Sequence, residues 1–197
     1  MNIDFTHEQL VAFYRSTSSA GRKAIKEALG EELYEALPIT ERVKSYEEAV
    51  RELGEEHPTV LAASSATWRF PEEENKDIVA YLKARVIVAA LNEGWEPEYT
   101  PGEQRWYPVF ELLSKEEIEA MSEEEKAERR CVGRSNSDAN AYGGLVFSSA
   151  HYASSSSYAY DGSRLAFKSQ ELAEYAGLQF TDLFADFCFL PKSEDKE

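Results

Sequence analysis

The segment 75–93, NKDIVAYLKARVIVAALNE, carries Ile78, Val79, Tyr81, Leu82, Val86, Ile87, Val88 and Leu91. At 3.6 residues per turn these positions cover most of a helix circumference instead of one stripe. Such a helix has no face to give to water, so other elements must cover it on several sides. Lys83 and Arg85 interrupt it, and it falls short of the roughly 20 apolar residues that span a bilayer. The spacing therefore predicts a buried helix at the centre of the fold, ended by Gly94 at the C′ position.

The cover must come from the rest of a 197-residue chain, a length that suits one domain or a core with a small appendage. Hydrophobic residues at 43% and aromatics at 12% suffice for a packed interior. Helix starts are legible from side chains. Thr6 with Gln9, Ser45 with Glu48, Ser114 with Glu117 and Ser122 with Glu125 have capping-box spacing. The first part reads as short helices at 6–16, 19–29, 31–37 and 45–53, punctuated by Gly30, Pro38 and Gly54. The stretch HPTVLAASSATWRFPEEEN shows no sustained period and reads as a connector, with Trp68 and Phe70 tucked against a neighbouring surface.

After Gly94, a Pro- and Gly-bearing loop leads into a short aromatic strand within QRWYPVFELL. Residues 111–128 hold eight glutamates against two lysines, the pattern of a solvated face. From Arg129 the composition shifts to Gly, Ser, Ala, Asn and Tyr with short apolar runs, which predicts two or three antiparallel strands. Asp161-Gly162 is a two-residue hairpin signal. It would place Tyr158, Tyr160, Leu165 and Phe167 on a core face, and Ser157, Ala159, Arg164, Ala166 and Lys168 on the other. Ser169 opens a last helix whose stripe of Leu172, Ala176, Phe180, Leu183, Phe184 and Phe187 should pack over that sheet.

The expected class is α+β: a helical N-terminal half, a central buried helix, and a small antiparallel β-sheet late in the chain, covered by a C-terminal amphipathic helix. The expected organisation is a helical N-terminal module at 1–54, a connector at 55–75, an α+β core domain at 76–190 and a flexible tail at 191–197.

The formal net charge is −16, from 37 acidic against 21 basic residues, which argues against nucleic acid and anionic membranes as partners. The N-terminus lacks a basic region followed by an apolar run, so no signal peptide is expected. The localisation read from this is cytoplasmic. Cys131 and Cys188 are too few and too far apart for a disulfide framework, and Cys188 within DFCFL reads as a small buried hydrophobe. His7, His57 and His151 are dispersed, without zinc-site spacing. GRSNSDANAYGG matches neither the GxxxxGK[ST] nor the GxGxxG pattern. No catalytic residue, metal ligand or cofactor is assigned.

One positive signal remains. Ser135–Gly162 is written mainly in Ser, Ala, Tyr, Asn, Asp and Gly, the vocabulary of binding loops. The structural alternative is that small residues fill tight spaces in a twisted sheet. Once the hairpin takes Tyr158 and Tyr160 into the core, the candidate partner-binding residues are Asn136, Asp138, Asn140, Tyr142, His151, Tyr152, Ser154 and Ser155.

The phrases ITERVKSYEEAVRELG, IVAYLKARVIVAALNEGWEPEY, QRWYPVFEL and GSRLAFKSQELAEYAGLQFTDLFADF, in that order, resemble an uncharacterised protein family of gut Bacteroidetes and their phages and prophages. The resemblance spans most of 37–189 and implies a mobile-element context, with no activity to carry over. The expected function is a non-enzymatic, phage- or prophage-associated binding protein that presents the Ser/Tyr/Asn/Ala-rich surface to a protein or small-molecule ligand. The alternatives are a virion or assembly component that self-associates into a homo-oligomer, an acidic inhibitor of a host defence protein, and a retroelement-diversified variable protein.

Overall fold

Hydroxyl side chains set where the helices begin. In the computed structural model, which describes residues 6–71, 74–132, 144–154 and 163–188, α1 (His7–Ser16) opens with a complete capping box. Gln9 N donates to Thr6 Oγ1 at 3.2 Å, and Thr6 N donates to Gln9 Oε1 at 3.0 Å. Ser18 caps α2 (Ser19–Ala36). Gly30 breaks that helix with φ 51° and ψ −123°, a left-handed conformation that glycine adopts without a Cβ penalty. The two short helices expected on either side of Gly30 are thus present. With α1 and with α3 (Ile39–Arg42) they form a first compact unit ending at Arg42. There the Arg42 guanidinium lies 5.7 Å from the Tyr34 ring centroid, and its Nε donates to the Leu37 carbonyl at 3.1 Å.

The second compact unit begins at Val43, so the division falls earlier than the expected boundary at Gly54. The cause is α4 (Tyr46–Leu53), which packs on the central helix α6 (Lys76–Leu91) and belongs with it. Ser45 caps α4 by accepting from Glu48 N at 3.2 Å. The Glu48 carboxylate reaches one residue further back, accepting from Lys44 N at 2.8 Å.

Helix α6 buries Val79, Ala80, Ala84, Val86, Ile87, Val88, Ala90 and Leu91 against α4, α5 (Pro58–Arg69), α10 (Thr181–Cys188) and a 3-10 turn at Ser163–Leu165. Each buried Val, Ile or Leu contributes about 1.5–3 kcal/mol of transfer free energy. Ile78, at the first turn, is the exception and stays exposed.

The presence of α5 corrects the connector expected at 55–75. His57 accepts from Thr59 N through Nδ1 at 3.3 Å, and Pro58 occupies the first helical position, where its missing N–H costs nothing. Only Val60 and Ala63 are buried on this helix, too few apolar residues to show a period. Trp68 and Phe70 do not tuck in: Trp68 is 88% exposed.

Strands β1 (Gln104–Leu113) and β2 (Gly144–Ser154) pair antiparallel, from Gln104 opposite Ser154 to Leu113 opposite Gly144. The register shifts between Val109 and Phe110, which leaves Ser148 as the extra residue of a β-bulge. Between β1 and β2 lie the short helices α7 (Lys115–Ala120) and α8 (Glu123–Glu128), each opened by a capping box.

The last helix is two helices. α9 (Gln170–Gln179) lies on both strands, and α10 turns away to pack mainly on α6. The break falls at Phe180 (φ −117°, ψ 29°). There Thr181 Oγ1 donates to the Gly177 carbonyl at 2.7 Å and competes for the helical backbone acceptor. Gly177 lets α9 approach closely, since a Cβ there would meet the Phe147 ring at 2.5 Å and Pro108 Cβ at 2.9 Å. α10 brings Phe187 to 5.6 Å from Tyr81 and Phe184 to 5.3 Å from Phe110. Cys188, expected to be buried, is exposed.

The hairpin expected about Asp161-Gly162 is corrected where it can be described. Ser163–Leu165 is a 3-10 turn, and Ala166 and Phe167 are both buried, so strand alternation fails. Phe167 instead makes an antiparallel bridge with Trp106, its N–H donating to the Trp106 carbonyl at 2.9 Å. Asn92, 4% exposed at the end of α6, fixes this path. Its Nδ2 donates to the Ala166 carbonyl at 2.8 Å, and Lys168 N donates to its Oδ1 at 3.0 Å. Ser157, Tyr158, Ala159, Tyr160 and the 191–197 tail lie outside the described residues. The architecture is α+β, and no helix among the described residues is long and apolar enough to cross a membrane.

Candidate functional site

Of the candidate residues, His151, Tyr152 and Ser154 lie on β2, whereas Asn136, Asp138, Asn140, Tyr142 and Ser155 lie outside the described residues. Strand alternation separates the three that can be placed. Tyr152 and Ser154 share one face of the sheet, and His151, opposite Tyr107, is on the other. Tyr152 is 54% exposed and rests its ring on Trp106, its register partner, with centroids 5.2 Å apart and planes at 53°. On the opposite face Tyr107 and Ala153 are buried with Ala166, and Trp95 packs against them.

At the far end of the strands the bulge holds a polar cluster. Arg129 Nη2 pairs with Glu111 Oε2 at 2.5 Å, and Ser148 Oγ donates to Glu111 Oε1 at 3.0 Å. Arg129 Nε also donates to the Phe147 carbonyl at 3.3 Å, while Phe147 N donates to the Arg129 carbonyl. The bond from Arg129, then that from Ser148, holds the Glu111 carboxyl below the usual carboxylate range. This group staples the Arg129 turn to β2. The glutamate-rich stretch is also partly structural, since Glu117 and Glu125 accept from Ser114 N and Ser122 N at 2.7 and 2.9 Å as cap partners. Burial pushes the nearby Cys131 thiol up, away from the reactive thiolate.

A cleft of about 270 Å³, which the sequence reading does not identify, lies on the Trp95 side of the sheet. Its walls come from α6 (Arg85, Asn92), the loop after it (Trp95, Glu96, Tyr99), the first turn of α5 (Thr59) and the 3-10 turn (Arg164). Tyr99 adopts φ +61°, an outlier for a bulky residue that has to be held by its surroundings. The Arg105 guanidinium, 1% exposed, sits 5.1 Å from the Tyr99 ring centroid as a cation–π support. Arg85 and Arg164 make no hydrogen bond or ion pair among the described residues, in a chain with an excess of carboxylates.

A larger depression of about 550 Å³ is lined by Tyr46, Glu47, Arg51, Glu55 and Ser64. Arg51 there is already 3.6 Å from Glu48, and Glu47 and Glu55 add negative charge. Its cation is spent, which makes the smaller cleft the better receptor for a ligand charge.

Among the described residues, no group of three or more His, Cys, Asp and Glu is placed to hold a metal ion. His57 spends its Nδ1 on the α5 cap. No family model matches the chain, and neither a curated protein nor a solved structure matches it.

Proposed function

We propose that this chain is a non-enzymatic, phage- or prophage-associated binding protein whose protein partner contacts the Tyr152–Ser154 end of β2. The observation that carries the reading is the Trp106–Tyr152 pair, in which a half-exposed tyrosine is held by register on a tryptophan ring. A side chain fixed in this way loses little rotamer freedom on binding, and its ring offers apolar area with a polar tip. Tyrosine and tryptophan anchors of this kind carry a large share of interface energy. The resemblance of its sequence phrases to the Bacteroidetes and phage family supports the mobile-element context.

The test is affinity capture from an infected or lysogenic host with wild type, Tyr152→Ala and His151→Ala. Capture of a defined protein that is lost with Tyr152→Ala supports the proposal. A partner captured equally by wild type and both variants would overturn the assignment to this surface.

A further inference from the structure

We infer that the cleft between Trp95, Tyr99, Arg85 and Arg164 is a binding site for a small planar carboxylic acid. Its two arginines come from distant parts of the chain, α6 and the 3-10 turn, and neither has a hydrogen-bond or ion-pair partner among the described residues. Guanidinium groups present a planar donor fork that matches a carboxylate in a bidentate fashion. Glu96 lines the same cleft, so the charged residues lining it among those described sum to about one positive charge, which a monoanion balances better than a phosphate dianion. The first turn of α5, represented by Thr59, adds the positive end of a helix dipole.

Two aromatic residues define the rest of the ligand. Trp95 is anchored against Tyr107, Ala153 and Ala166, and Tyr99 is held in its left-handed backbone conformation over Arg105. Aromatic residues in the lining favour a planar body. The volume of about 270 Å³ equals the liquid share of roughly nine waters and lies just under the usual range for drug-sized ligands. A single ring bearing a carboxylate fits that size. The overall charge of −16 does not prevent this, because carboxylates more than about 8 Å away are largely screened at physiological salt.

The test is isothermal titration of the full chain with benzoate, its neutral isostere benzamide, and inorganic phosphate, on wild type, Arg85→Gln and Arg164→Gln. The expected result is saturable one-to-one binding of benzoate, with benzamide and phosphate each weaker. Each arginine variant should lower benzoate affinity about tenfold or more while its circular dichroism spectrum is unchanged. Should Arg85→Gln fail to fold, Arg164→Gln on the exposed turn decides. Absence of benzoate binding, equal binding of benzamide, or wild-type affinity in Arg164→Gln overturns the site. Phosphate binding tighter than benzoate overturns the carboxylate assignment.

Discussion

The Tyr152 surface and the arginine cleft lie on the same β-sheet unit, yet they were built by different means. The first is a pair of register partners, Trp106 on β1 and Tyr152 on β2, with Ser154 beside them on the same face, given its shape by strand pairing. The second draws on α5, α6, the following loop and the 3-10 turn, and Asn92 ties the end of α6 to the segment after that turn through Ala166 and Lys168. The contrast teaches that composition points to surfaces made of contiguous chain, while sites assembled across the fold leave little trace in it. It also predicts different sensitivities: the cleft should fail when its clamp is cut, and the strand surface should tolerate everything except loss of its own side chains.

The largest effect is expected from Asn92→Ala. The variant leaves the buried Ala166 carbonyl and Lys168 N–H without partners, at a cost of about 2–4 kcal/mol. Denaturant unfolding should show that loss, and benzoate binding should go with it. Preserved stability would show that the clamp is not what forms the cleft. Gly177→Ala comes next, at about 1–3 kcal/mol, because its new methyl group meets the Phe147 ring and Pro108. It stresses the α9-covered face and should leave benzoate affinity unchanged, which sharpens the separation between the two sides of the sheet.

The bulge staple provides a smaller, pH-dependent effect. The folded-state pKa of Glu111 is depressed by Arg129 and Ser148, so its stabilising contribution is present above the ordinary glutamate value of about 4.3. That contribution is lost as pH falls through the lower folded value. Glu111→Gln should therefore narrow the stability gap between neutral and acid pH, and chemical melts at both pH values would measure it. The smallest effect is expected from Trp68→Ala, where an 88% exposed ring should change stability by no more than about 0.5 kcal/mol. A larger loss in the melt would mean that α5 owes its stability to that ring.

Much of the helical part was legible because its signals are local. Ser45, Ser114, Ser122 and Ser169 cap helices through hydroxyls three residues from their amide donors. The apolar circumference of α6 required several packing partners, and α4, α5 and α10 supply them. Helix α5 escaped notice because Val60 and Ala63 alone are buried, so packing on α6 replaces the periodic pattern. The 163–167 segment read as a strand because its apolar residues alternate in sequence. Its backbone is instead shaped by Asn92, 74 residues from Ala166. The same distance hid the cleft, since nothing near Arg85 in the chain announces Arg164.

The most direct test of two separable sites is a crossed measurement: partner capture and benzoate affinity, each determined for Tyr152→Ala and Arg164→Gln. Tyr152→Ala should abolish capture and leave benzoate affinity at the wild-type value, and Arg164→Gln should do the reverse. Loss of both functions in either correctly folded variant would contradict the account, because the strand surface and the cleft would then be one site.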